Sequence, residues 1–340
     1  MHSTWSEILD GNATPDGGIQ LGATPDELER LETAPVVAPL TDTGVIRVTG
    51  ADAPAFLHAQ FTNAIDDMQA PSSRLAGWCN PKGRLLALLR VIRTDDGFLL
   101  LLPRTLVASV VKRLRMFVLR SKVTVEDASE AVTVTGIAGA SASMLLAEVI
   151  GTPPGAGDEV STAGDLIAVR LADMTPRWLL IAPASQTPDL WRTLSGGLAA
   201  VGTAIWRLLD IRAGLPEVVT ETRERFVPQM VNLEPLGGLS YEKGCYPGQE
   251  VVARMHYLGQ LKRRLYRLHG AGDPPAAGTR VSAGDKEAGE LVSSAPCGPD
   301  VFEALAVLRI DTADSGTPLT VNDRNLEIAP LPYTPPGEGE

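Results

Sequence analysis

Cysteine is scarce in this chain: Cys79, Cys245 and Cys297 are odd in number, far apart and never form a C-x-x-C pair. That pattern excludes a disulfide framework and a zinc ribbon, and a reducing cytoplasm is the expected compartment. Long apolar runs are missing as well. The longest, such as Phe98 to Pro103, fall far below the roughly 18 residues a membrane-spanning helix needs. The opening Met-His-Ser-Thr-Trp-Ser-Glu has neither a basic n-region nor an apolar h-region, so no export signal or anchor is expected. Bases are nearly absent from residues 1–42, where Arg30 alone faces Glu7, Asp10, Asp16, Asp26, Glu27, Glu29, Glu32 and Asp42. The whole chain carries −11, which excludes a global basic footprint for nucleic acid. The histidines, His2, His58, His256 and His269, have no ligand spacing, so no metal is expected. No G-x-G-x-x-G follows a strand, which disfavours a flavin or nicotinamide enzyme.

What is present suits a soluble globular protein of two or three domains: 340 residues, 44% hydrophobic and 21% charged, punctuated by 33 Gly and 26 Pro. Residues 1–36 read as a loosely ordered acidic arm with one short helical stretch near Asp26 to Glu32. From residue 44 the patterns run strand, helix, strands, helix, strand as far as residue 126. The same order repeats over 132–201, with strands at 132–137, 166–171 and 177–181 and helices near 141–150 and 189–201. Each repeat reads as a split βαβ unit of ferredoxin-like type. Beyond 261 only short strands between Gly, Pro and Asp turns remain, which suits a small antiparallel barrel. The fold class is therefore α+β, two ferredoxin-like mixed units followed by a C-terminal antiparallel β-barrel.

Residues 226–267 concentrate turn formers and reactive side chains. In Cys245-Tyr246-Pro247-Gly248-Gln249 the Pro-Gly pair suits the centre of a type II turn, because Pro fixes φ and Gly accepts φ > 0. Such a turn holds the thiol at an exposed corner. Lys243, Arg254 and Lys262-Arg263-Arg264 lie nearby in sequence, and a cation beside a thiol favours the thiolate. A cysteine taken alone is more often a small buried hydrophobe; the turn context is what raises the reactive reading. Arg104, Lys112, Arg113, Arg115, Arg120 and Lys122, with no acid between them, offer an RNA-contact face, although such runs are more often solvated surface.

The run Lys243-Gly244-Cys245-Tyr246-Pro247-Gly248-Gln249-Glu250 closely resembles the signature of the folate-binding YgfZ family, Lys-Gly-Cys-Tyr-x-Gly-Gln-Glu. The resemblance extends over most of the chain after residue 38. It includes Gly50-Ala51-Asp52, Phe56-Leu57-x-x-Gln60-x-Thr62-Asn63, Pro81-Lys82-Gly83-Arg84, Phe226-x-Pro228-Gln229-x-x-Asn232-Leu233, Leu236-Gly237-Gly238 and Ile328-x-Pro330-Leu331-Pro332-Tyr333. The family is similar in fold to the glycine-cleavage aminomethyltransferase. That likeness implies a folate-binding fold with a first domain of residues 37–130 and 205–260, a second of 131–204 and a barrel of 261–333.

The resemblance further implies a monomeric, cytoplasmic accessory protein that binds tetrahydrofolate or a one-carbon derivative and serves client iron-sulfur proteins, including those that modify tRNA. Direct nucleic-acid binding and membrane association are not expected. Cys245 is the implied functional thiol, with Lys243 beside it. The implied folate contacts are Trp206 as a stacking ring, Thr43 where some relatives place a second Trp, and Gln229, Asn232, Tyr246, Gln249, Glu250 and Arg254. Arg212 stands where the transferases carry a Glu that grips the pterin, with Asp210 or Glu217 as substitutes. Leu86 and Ala87 stand where the transferase carboxylates belong, which disfavours aminomethyl transfer. A folate-dependent aminomethyltransferase and an RNA- or tRNA-binding module remain the alternatives.

Overall fold

The computed structural model describes residues 2–335. The described chain divides into two compact units, one holding residues 2–53, 68–74 and 90–206, the other holding 54–67, 75–89 and 207–335.

The first expected mixed repeat is a five-stranded sheet in the order Ser72–Cys79, Leu85–Thr94, Gly97–Pro103, Thr43–Thr49, Thr124–Asp127. Thr43–Thr49 lies between its two antiparallel neighbours, as a split βαβ unit requires. Strands Ser72–Cys79 and Leu85–Thr94 run through both units. Leu85, Leu86, Ala87, Leu89, Val91 and Ile92 are all buried, so this strand reads as a continuous apolar run rather than an alternation. Helix Arg104–Val118 covers Thr43–Thr49 with Leu106, Val107, Val110, Val111 and Leu114, whose spacing is the helical apolar stripe.

The second repeat departs from the expected pattern. Its sheet runs Val160–Ala163, Leu166–Arg170, Arg177–Pro183, Val132–Ala138, Val36–Pro39, Ala199–Ala200. The place beside Val132–Ala138 is taken by Val36–Pro39, paired antiparallel, and the short Ala199–Ala200 is pushed to the edge, parallel to it. Residues 36–39 therefore belong to the second sheet rather than opening the first domain. Helices Ala142–Ile150 and Thr187–Gly197 close this core with Leu146, Ile150 and Leu194.

The acidic arm is also more ordered than its composition suggests. It contains helices Ser3–Ile8 and Thr24–Thr33 and a two-stranded ribbon of Asn12–Ala13 with Ile19–Gln20. The ring of Trp5 packs edge-on against Trp191 at 5.4 Å. Glu27, only 1% exposed, accepts from the Leu21 N–H at 2.7 Å, and Thr203 Oγ1 accepts from the Ile19 N–H at 3.0 Å. Polar residues that solvate a disordered segment are here the partners of buried backbone groups, which a composition argument does not see.

In the second unit, residues 263–329 form a closed six-stranded antiparallel barrel in the order Arg263–Ala271, Val301–Arg309, Lys286–Gly298, Arg280–Ala283, Leu319–Val321, Arg324–Ala329. Alternate residues Tyr266, Leu268, Phe302, Ala304, Ala306 and Leu308 fill its interior, so the intervening ones leave from the outer face. Among the described residues no helix is long and apolar enough to cross a membrane.

Candidate functional site

Lys243 anchors the signature loop. Its side chain is 8% exposed, and Nζ donates to the carbonyl of His58, to that of Phe61 at 2.5 Å and to that of Asn63 at 3.1 Å. The ring of Tyr246 lies 5.1 Å away. Burial pulls the ammonium down to about 8, with Asp66 opposing, so at neutral pH it still carries the proton it donates. The lysine is thus the loop's anchor, not the free cation expected beside the thiol.

The segment that receives this anchor is itself fixed. Thr62 Oγ1 donates to the Gly238 carbonyl at 2.7 Å and accepts from the Gly77 N–H at 2.8 Å. Asn63 Nδ2 donates to the carbonyls of Leu75 at 2.9 Å and Gly237 at 2.7 Å. Three stretches that were separate in sequence, 56–63, 236–238 and 243–250, are therefore one hydrogen-bonded body.

After Cys245 the chain makes the type II turn that Pro247-Gly248 implies. Gly248 has φ 84° and ψ 1°, and the Gln249 N–H closes the turn on the Tyr246 carbonyl at 3.1 Å. The turn rests on Pro81-Lys82-Gly83, and a Cβ at Gly248 would lie 2.5 Å from the Asn80 carbonyl oxygen and 2.6 Å from Gly83 Cα. Asn80 Oδ1 holds that second turn by accepting from the N–H groups of Lys82 at 2.9 Å and Arg84 at 3.1 Å. Tyr246 and Lys243 point inward while Cys245 between them is exposed. The result is a reachable thiol on a rigid mount.

His58, which sequence reasoning left without a role, sits beside this loop. Its Nδ1 is 2.6 Å from Asp66 Oδ1, and its Nε2 is 3.5 Å from where a Gly244 Cβ would be. No spacing in the sequence announces that pair.

The expected folate contacts divide by environment. Gln229 Nε2 donates to the Val252 carbonyl at 2.8 Å and to Tyr241 Oη at 3.3 Å, but its Oε1 is buried without a partner. Asn232 donates to the Leu265 carbonyl at 3.2 Å, and Tyr246 is buried, which raises its hydroxyl. Both act inside the unit as packing and hydrogen-bonding groups. Gln249, Glu250 and Arg254 lie on helix Gln249–Leu258, the latter two exposed. Thr43 and Trp206 belong to the first unit. Trp206 is only 6% exposed. A Cβ on Gly136 would lie 2.4 Å from Trp206 Cε3, and the Arg177 guanidinium stands 5.0 Å from its centroid. The expected stacking ring is thus packed as core, because a glycine on the sheet leaves room for it. Arg212 donates from Nε to Glu303 Oε1 at 2.9 Å, which accounts for its charge without a pterin. Leu86 and Ala87 are fully buried.

Family models place residues 22–156 with the GCVT N-terminal domain and 262–336 with the CAF17 C-terminal β-barrel domain. The aminomethyltransferase T of the Bartonella henselae glycine cleavage system superposes with a TM-score of 0.75 at 16% identity, covering 97% of this chain and 96% of that one. The fold is accordingly that of the glycine-cleavage T proteins. The "tRNA-modifying protein YgfZ" of Yersinia pestis (strain Pestoides F) is 33% identical over 303 residues, 87% of this chain and 91% of that protein. Its counterpart in Yersinia enterocolitica is 31% identical over 302 residues, with the same coverage. The chain belongs to the YgfZ family.

Proposed function

We propose that this chain is a cytoplasmic, monomeric, tetrahydrofolate-binding accessory protein that assists the assembly or repair of iron-sulfur enzymes, including tRNA-modifying ones, through the thiol of Cys245. The observation that carries this reading is the exposed thiol on a loop whose neighbours are buried: Lys243 held by three carbonyls on one side and the Pro247-Gly248 turn on the other. A thiol built for packing would not be mounted outward on rigid backbone. The names of the relatives support the tRNA connection, and the T-protein fold supports a folate. The partnerless Oε1 of Gln229 fits a folate: it is a buried acceptor that a pterin N–H would satisfy. Exposed Arg254 offers a cation for the glutamate tail. Buried, apolar Leu86 and Ala87 argue against aminomethyl transfer, since neither can take a proton or stabilise a developing cation.

Calorimetric titration with tetrahydrofolate and its formyl and methylene derivatives tests the ligand. Wild type should bind at least one of them, and Gln229→Leu should lose about 1–3 kcal/mol of that affinity. In a strain deleted for its YgfZ-family gene, Cys245→Ala should fail to restore iron-sulfur enzyme activity. Indifference of the wild type to every folate would end the ligand assignment, and full complementation by Cys245→Ala would end the thiol's role.

A further inference from the structure

The outer face of the barrel carries a second set of reactive side chains. His269 and Glu303 are direct cross-strand partners on Arg263–Ala271 and Val301–Arg309, so they leave the same face of the sheet. On the next strand, Lys286–Gly298, the ladder slips between Pro296 and Gly298, and the residue between them is Cys297. A bulge turns its side chain out of the regular alternation. Here the outcome is convergence: a His269 ring nitrogen, Cys297 Sγ and a Glu303 carboxylate oxygen lie within 4.8 Å of one another.

Glu303 gives this cluster its direction. It is 3% exposed, with Oε1 accepting from Arg212 Nε at 2.9 Å. Its Oε2 is buried with no hydrogen-bond partner, and Arg267 Nε, 3.7 Å away, is too distant to donate to it and is itself without an acceptor. A buried carboxylate oxygen without a hydrogen bond is costly, and the Arg267 guanidinium meets this one only at ion-pair distance.

We propose that His269, Cys297 and Glu303 bind one thiophilic divalent metal ion of the zinc class, with Glu303 Oε2 as the oxygen ligand. One imidazole nitrogen, one sulfur and one carboxylate oxygen are the donor types such an ion takes, and three protein ligands leave a fourth position for water. Tetrahedral bonds of about 2.0–2.3 Å put ligand atoms roughly 3.5 Å apart, so the present spacing, within 4.8 Å, needs a contraction of no more than about 1.3 Å. Half-buried His269 and a bulge residue can supply it by side-chain rotation. Magnesium and calcium, which require shells of oxygen, do not suit a site with one carboxylate. On binding, the metal–sulfur bond replaces the S–H bond and the proton leaves to solvent.

Two guanidiniums beside Glu303 oppose a cation. Three negative charges offset them: Glu303 itself, the Cys297 thiolate formed on binding, and Glu327, which pairs opposite His269 on Arg324–Ala329. The Arg212 bond to Oε1 also fixes the carboxylate and leaves Oε2 without a hydrogen bond, the part an outer hydrogen bond plays at metal sites.

Cobalt titration of the chelator-treated full chain tests the site, with zinc as competitor. One cobalt per chain should bind with a thiolate-to-cobalt charge-transfer band, and zinc should displace it while excess magnesium should not. The band should persist in Cys245→Ser, disappear in Cys297→Ser and require at least about ten-fold more cobalt in His269→Gln. Melting of the metal-free variants checks that they fold; should Cys297→Ser not fold, His269→Gln carries the same readout at a half-buried position. A wild type without the band, a band that vanishes with Cys245→Ser but survives Cys297→Ser, or displacement by magnesium would overturn the proposal.

Discussion

Strand Ser72–Cys79 and the loop 243–250 place two thiols of one unit in opposite surroundings. Cys79 ends the strand at 1% exposure, and burial pushes its thiol up to about 12. Cys245 stands outward on the turn. Between them in character is Cys297, half-buried, with its thiol raised by burial and by Glu303 while Arg212 opposes. The same side chain is thus packed in one place and reachable in another, and the difference lies in the backbone that carries it. A strand buried on both faces has no outward direction for its last residue. A turn pinned by its neighbours does.

The comparison breaks most completely at Gly248. Its positive φ and the backbone of the Asn80–Gly83 turn leave no room for a side chain. Gly248→Val should cost about 3 kcal/mol or more through strain and overpacking, read as a lower denaturation midpoint, and should remove the fixed corner that presents Cys245. A variant as stable as wild type would mean the two turns do not bear on each other.

A smaller effect is expected at Lys243. Lys243→Met removes the donor from three carbonyls, two of them buried, and should cost about 2 kcal/mol at pH 7. The pH dependence has a definite sign. The folded-state value, about 8, lies below the ordinary 10.5. Between these values the unfolded chain holds a proton the folded chain has released, so wild-type stability relative to Lys243→Met rises with pH across that window. Denaturant curves of both chains at pH 7 and pH 10 isolate this, and a gap that narrows at pH 10 would refute it.

The smallest change in stability, and the sharpest contrast in chemistry, belongs to the thiols themselves. Cys245→Ala should stay within about 0.5 kcal/mol of wild type, as an exposed substitution does. In the native protein, iodoacetamide followed by mass spectrometry should find Cys245 first, Cys297 more slowly and Cys79 only after unfolding. Labelling of Cys79 alongside Cys245 would erase the distinction.

Much of this was legible because it is local. The type II turn follows from Pro247-Gly248, the barrel strands from short alternating runs between turns, and helix Arg104–Val118 from its apolar spacing. The candidate site was legible only as a motif. Which residue anchors it, and to what, was not, since Lys243 and its acceptor His58 are 185 residues apart. Glu27 and Arg30 read as solvated charges, yet one accepts from the half-buried Leu21 N–H and the other donates to the Ala200 carbonyl at 2.8 Å.

By itself the sequence determined most elements of the mixed repeats and the barrel, and the family, because periodicity, turn chemistry and an eight-residue signature are properties of neighbouring residues. Tertiary structure alone decided that Val36–Pro39 enters the second sheet, that Lys243 is an anchor, that Trp206 is packed against Gly136, and that a bulge brings Cys297 to His269 and Glu303. Each of these depends on hydrogen-bond and packing partners far away along the chain. Burial and register, which fix what a charged or reactive side chain can do, exist only once those partners have met.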